Sequence, residues 1–172
     1  MSLQAPKRLD ELLNYRLARL LAKSSAPGIR LFEGRYGVSR REWRLVGLVA
    51  VYGAMSPSDL ATLAHLDRPC VSRAITELVE KGLLVRAGVP NDGRRAQVDI
   101  TRKGKKLYEV VLPQVVSINN AVLGVLNSDQ LTELDKILDL LTQSAEEVVR
   151  SSPVIGEGSR HIGGLRSMPD LN

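Results

Sequence analysis

Five residues set the first chemical question. Arg68, Pro69, Ser72, Arg73 and Thr76 recur at spacings that place them on one face of a helix, and Val71, Ala74, Ile75, Leu78 and Val79 fall on the other. A guanidinium flanked by small hydroxyls can bond base edges and phosphate oxygens. Out of context, the same face reads equally well as an ordinary solvated one. Cys70 lies in the first turn beside Arg68 and Arg73, where helix dipole and cations favour thiolate. The competing reading is a small, partly buried apolar residue. Catalytic patterns are missing from the sequence. It has no Gly-x-Ser-x-Gly elbow, no P-loop and no metal-ligand spacing, and Gly156, Gly158, Gly163 and Gly164 follow no strand. With one cysteine and the distant His65 and His161, neither a disulfide nor a metal site is expected. No enzyme activity and no cofactor are anticipated.

Charge sharpens the question. The net charge is +5, but residues 68–106 carry ten basic and four acidic groups, whereas 107–150 carry two and seven. A basic block beside an acidic one points to a polyanion-facing surface, with nucleic acid as the leading partner. The chain has 172 residues, 44% of them apolar and only 3% aromatic. Its core must therefore be built from Leu, Val, Ala and Ile, which favours packed helices over an all-β sandwich. The N-terminus lacks the apolar run of a secretory signal, so a cytoplasmic location is expected. The uncharged stretch 110–128 contains Pro113, Gln114, Asn119 and Asn120 and reads as a buried helix, not a membrane span.

The elements that position these residues follow from caps and periodicity. A helical stripe covers 9–21, Ala26-Pro27-Gly28 interrupts it, and a second stretch runs toward Gly37. Ser39 and Glu42 have capping-box spacing, with Val38 and Trp43 set for a hydrophobic staple, so a helix begins at Ser39 and stops near Gly53. Ser56 caps a short helix over 57–64, with Pro57 at its first position. Asp67 caps the next helix, and Gly82 provides a left-handed stop. Two short helices in tight succession, the second with a polar and basic face, form a helix-turn-helix layout. Strands over 83–86 and 96–100 flank the turn residues Pro90, Asn91, Asp92 and Gly93, giving a hairpin with Arg94 and Arg95 beside its tip. Thr101 caps a long helix toward Leu126, bent at Pro113. Ser128 and Asp129 begin a last helix with Leu131, Leu134, Leu138, Leu141, Ala145 and Val148 in a-and-d spacing. A partner chain would cover that seam, and packing on the chain's own core is the alternative. Residues 151–172 lack periodicity and are expected to form a mobile tail.

This order of elements resembles the MarR family of winged-helix transcriptional regulators. The likeness is carried by YGVSRREWRLVGLVA (36–50), SPSDLATLAHLDRPCVSRAITELVEKGLLVR (56–86) and NDGRRAQVDITRKGKKL (91–107), and it spans residues 9–150. Asp92-Gly93-Arg94 is similar to the family's Asp-x-Arg wing motif. The resemblance implies a mainly α fold with a small β-hairpin wing: an N-terminal dimerisation region (1–37), a winged helix-turn-helix (38–101) and C-terminal dimerisation helices (102–150). It implies a homodimer, with Leu13, Leu17, Leu131, Leu134, Leu138 and Leu141 at the dimer contact, straddling a pseudo-palindromic double-stranded DNA operator. Arg68, Pro69, Ser72, Arg73 and Thr76 would then meet bases. Asp92 would direct Arg94, with Arg95, into the minor groove, although an Asn-Asp-Gly turn looks much the same in any hairpin. Arg40, Arg41, Arg86 and Lys103 would meet phosphates. The family implies a small aromatic effector between dimer helices and winged helix, and Arg16, Phe32, Tyr36, Trp43 and His65 are the candidate pocket. The expected function is a repressor released by that effector. The alternatives are a redox-responsive regulator switched through Cys70, and a winged-helix interaction protein that has no need of the basic block.

Overall fold

The computed structural model describes residues 3–89 and 92–151, except for the side chains of 89–96. The readings that fall on Pro90 and Asn91, on the side chains of Asp92, Arg94 and Arg95, and on the tail beyond Ser151 lie outside the described residues.

The first helical stripe is where expectation and structure part. Leu9–Glu11 forms only a single 3-10 turn, and the backbone is extended at Leu12 with ψ 140°. Helix α1 then runs unbroken over Leu13–Leu31 with Pro27 inside it. The expected interruption at Ala26-Pro27-Gly28 is therefore corrected. Proline removes one backbone donor, but α1 packs against the long helix α5, Arg102–Leu123, and tertiary packing overrides the local cost. Gly28 is buried, and a Cβ there would stand 3.3 Å from the Phe32 ring. Phe32–Tyr36 continues as a wider π turn, and Gly37 ends it with a left-handed φ of 63°.

The winged helix-turn-helix follows in the expected order, because its start signals are local hydrogen bonds. The Ser39 hydroxyl accepts from Glu42 N at 3.2 Å and the Glu42 carboxylate accepts from Ser39 N at 2.6 Å, opening α2, Arg40–Tyr52. Val38 and Trp43 are both buried, as a staple requires. Ser56 caps α3, Pro57–Ala64, and Asp67 caps α4, Arg68–Glu80, by accepting from Cys70 N at 2.7 Å. Strands β1, Leu84–Val89, and β2, Asp92–Ile100, pair antiparallel with Leu84 opposite Ile100 and a register shift after Gly88. Both are longer than the sequence reading, and Asp92 and Gly93 belong to β2, not to the turn. Met55 pairs with Val98 through two backbone hydrogen bonds, 3.1 and 2.8 Å, which adds a bridge on the other edge of β2.

Leu45, Val46 and Val49 of α2 meet Leu60 of α3, Ile75 and Leu78 of α4, Leu84 and Val98 of the hairpin and Val111 of α5 in one apolar core. Phe32, Trp43 and Tyr108 stack at its margin with centroids 5.6 and 5.5 Å apart. The Thr101 hydroxyl caps α5 by accepting from Gly104 N at 3.0 Å, and the helix passes through Pro113. The expectation of a buried helix over 110–128 is corrected for the single chain. In α5 only Gly104 and Val111 are buried, and Val110, Leu112, Val116 and Val122 are exposed.

Among the described residues, 126–151 belong to a second unit. Its helix α6, Ser128–Ser151, starts at a cap one residue earlier than expected: Asn127 and Gln130 each bond the other's backbone N–H, at 3.0 and 2.9 Å. None of the α6 residues is buried. Among the described residues, no single helix is long and apolar enough to cross a membrane.

Candidate nucleic-acid interface

Helix α4 is amphipathic in the way its sequence requires. Cys70, Val71, Ala74, Ile75 and Leu78 face the core, and Arg68, Pro69, Ser72, Arg73 and Thr76 are all exposed. Pro69 lies in the first turn, where its missing N–H costs nothing, and the Asp67 cap fixes where α4 begins. Packing against α2, α3 and β1 sets its azimuth. The outcome is a rigid face of two guanidiniums and short polar groups, which is the chemistry that base edges in a major groove accept.

Thr76 differs from its neighbours. Its hydroxyl donates to Ser72 O at 3.1 Å and accepts from Arg86 Nη2 at 3.0 Å. It is therefore already engaged on both sides, and it holds the Arg86 guanidinium of β1 against α4. Arg41 is exposed in the first turn of α2 and Arg40 is half-buried. Lys103 is exposed and donates to Lys81 O at 2.7 Å.

Sequence reasoning missed the contact that anchors the far end of α4. Glu42 is 3% exposed, and its second carboxylate oxygen accepts from Lys81 Nζ at 2.6 Å; the same ammonium donates to Gly37 O at 3.0 Å. Burial alone would push the Glu42 carboxyl up, but the hydrogen bonds from Lys81 and Ser39 and the Lys81 charge outweigh it and hold the carboxyl below its ordinary value. The residue that opens α2 thus also fixes Lys81, directly after α4. Glu42 is legible as a cap, but no local pattern joins positions 39 residues apart.

Cys70 is only 7% exposed, on the core side of α4. This burial agrees with the reading of Cys70 as a small apolar residue, and it does not favour the redox alternative, which needs an accessible thiol.

The candidate effector residues do not form one group. Phe32 and Trp43 are buried in the aromatic stack, and the half-buried Tyr36 accepts a 2.6 Å hydrogen bond from Gln114 on its hydroxyl. Arg16 is exposed on α1, in a groove with Leu13, Leu17 and Leu20. His65 is exposed, ends α3 with a left-handed φ of 52° and lines neither the groove on α1 nor the cavity beside α5. Within one chain these five residues therefore do not line a common cavity. Tyr36 alone borders the cavity beside α5, and Arg16 alone borders the groove on α1.

Of the dimer candidates, Leu17, Leu138 and Leu141 are 41%, 42% and 38% exposed, and Leu13, Leu131 and Leu134 are half-buried. Leu9, Leu20 and Leu21 are more exposed still. So much apolar helix surface calls for cover.

Comparison with known proteins gives a consistent result. The sequence profile of the MarR family matches residues 36–95. The chain is 35% identical over 111 residues to the HTH-type transcriptional regulator FarR of Neisseria gonorrhoeae, covering 60% of this chain and 76% of FarR. It is 25% identical over 124 residues to the homoprotocatechuate degradative operon repressor of Escherichia coli, covering 72% and 84%. The crystal structure of NadR in complex with 4-hydroxyphenylacetate superposes with a TM-score of 0.66 at 28% identity, over 80% of this chain and 95% of that one.

Proposed function

The chain belongs to the MarR family of DNA-binding transcriptional regulators, and on that premise we propose that it is a homodimeric repressor that reads an inverted-repeat operator. In this reading Arg68, Pro69, Ser72 and Arg73 of each protomer face bases, Arg94 and Arg95 of the wing, directed by Asp92, enter the minor groove, and Arg40, Arg41, Arg86 and Lys103 meet phosphates. The observation that carries it is the face of α4: every residue picked for base contact is exposed on one side, and the core takes the other. The exposed leucines of α1 and α6 support a two-fold partner, since one copy leaves them in water. Two-fold protein symmetry imposes two-fold operator symmetry.

Release by a small aromatic or anionic molecule completes the proposal. A ligand acts this way only if it binds the DNA-incompetent arrangement more tightly, and DNA must then weaken the ligand by the same factor. The complex of the related NadR with 4-hydroxyphenylacetate supports the ligand class.

Titrating labelled duplex DNA across a salt series tests the reading. Log affinity should fall with log salt, with a slope of about −0.9 for each phosphate neutralised. Arg73→Ala should cost about 1–3 kcal/mol on a selected site and little on random duplex. Salt-independent binding, or equal affinity of both proteins for the selected site, would refute it.

A further inference from the structure

Only His65 and Leu66 separate the last residue of α3 from the Asp67 cap of α4. An α-helix leaves its last carbonyls without intrahelical partners, and here most of the remedy is local. With His65 in the left-handed region, its N–H donates to Thr62 O at 3.1 Å and the N–H of Leu66 donates to Ala61 O at 3.0 Å. Ala64, 1% exposed, finds its partner elsewhere: its carbonyl accepts from Arg44 Nη1 of α2 at 3.1 Å.

This bond differs in kind from the other contacts at the turn. Leu45, Val46 and Val49 of α2 meet Leu60 of α3 through apolar surface, which is attractive but not directional. Arg44 to Ala64 is, among the described residues, the one side-chain hydrogen bond from α2 to α3, and it holds a peptide plane in one orientation. That plane lies three residues before Asp67, so its orientation sets how the chain enters α4. No carboxylate pairs with Arg44 among the described residues, and its charge is directed at the negative end of the α3 dipole. His65 is the one non-glycine with positive φ among the described residues, so the turn adopts a conformation its sequence does not favour and is held in it from outside.

We propose that Arg44 is a positioning residue for sequence reading: by holding the Ala64 carbonyl it fixes the α3–α4 turn, and with it the angle at which Arg68, Ser72 and Arg73 meet DNA. It acts through α4, without a base or phosphate contact of its own. The inference rests on the function proposed above, whose DNA-facing side chains it orients. Base contacts are short and directional, whereas phosphate attraction is long-ranged, so a misdirected α4 loses preference before it loses general affinity.

Anisotropy titration of the full chain against a duplex selected by wild type and a random duplex of equal length tests the proposal. It is run over a salt series, at a temperature where thermal unfolding shows every variant folded. Arg44→Met, a change on an exposed position of α2, should lower the ratio of the two affinities by about tenfold or more, the worth of one mismatched base pair. Its affinity for random duplex and its salt slope should stay as in wild type. Arg44→Lys keeps a donor for the Ala64 carbonyl and should recover much of the ratio. His65→Gly added to Arg44→Met relaxes the turn's backbone and should raise the unfolding midpoint without restoring the ratio. A ratio unchanged in Arg44→Met, a lysine no better than methionine, or a ratio restored by His65→Gly would each overturn the proposal. So would an equal loss on both duplexes with a salt slope shallower by about 0.9, which would make Arg44 a phosphate contact. A wild type that selects no site refutes the operator reading, and this inference with it, whereas the variant results bear on Arg44 alone.

Discussion

Replacing Glu42 with Gln should destabilise the protein at neutral pH and remove part of its pH dependence. The carboxylate accepts two charge-assisted hydrogen bonds, from Ser39 N and Lys81 Nζ, both 2.6 Å long, in a side chain that is 3% exposed. The two bonds fall on different oxygens and an amide has one acceptor oxygen, so the variant keeps one bond in neutral form, at a cost of about 1 kcal/mol, and loses the other, a charge-assisted bond of roughly 1.5–3 kcal/mol, because its NH2 group would face a donor. The Lys81 side chain is 38% exposed, and solvent screening trims its share. The expected loss is about 2–4 kcal/mol, or a fall in Tm of about 4–16 °C for a chain of this length. The sign of the pH effect follows from the lowered carboxyl. As pH falls, the unfolded chain takes up the proton first, so the stabilisation is complete above the ordinary value of 4.5 and is lost as pH drops from there through the folded value. Urea unfolding of wild type and Glu42→Gln between pH 7 and pH 3 measures both. A variant as stable as wild type at pH 7, or a gap that stays constant to pH 3, would refute the reasoning.

Three further outcomes are expected. Gly104→Ala should cost about 3 kcal/mol in denaturant titration, because its Cβ would overlap the Leu83 carbonyl oxygen and come within 2.9 Å of Ile100 Cγ1; an unchanged midpoint would contradict the tight approach of α5 to Leu83 and the end of β2. The double variant Leu134→Lys and Leu138→Lys should sediment as a monomer and lose operator binding, since each lysine puts a charge where an apolar contact is proposed; a wild type that is itself monomeric at micromolar concentration would refute the dimer. Thr76→Val should weaken binding to all duplexes alike by about 0.5–1.5 kcal/mol, because it frees Arg86 from α4; a changed sequence preference in anisotropy titrations would instead make Thr76 a base contact.

The pattern of what could be read follows the range of the interactions. Ser39 with Glu42, Ser56 with Asp59, Asp67 with Cys70 and Thr101 with Gly104 are all contacts three residues apart, and each start site was legible because a side chain of known type bonds a nearby N–H. The buried face of α4 was legible from its period for the same reason. The continuation of α1 through Pro27 was not, because packing against α5, some eighty residues on, decides it. The Met55–Val98 bridge and the Glu42–Lys81 pair are equally non-local. Of the candidate ligand residues, Phe32 and Trp43 are taken up by the core stack with Tyr108, whereas Tyr36 borders a cavity whose charged lining is three lysines, and no local pattern signals that division.

The central claim is that a two-fold protein reads DNA with α4. Incubating the purified protein with a random duplex library and sequencing the retained fragments tests it most directly. The account predicts an enriched inverted repeat with half-site centres about one helical turn, or 10 base pairs, apart, whose preferred bases blur in the Arg73→Ala selection. Enrichment of no motif, of a motif without two-fold symmetry, or of the same sharp motif by Arg73→Ala would contradict it.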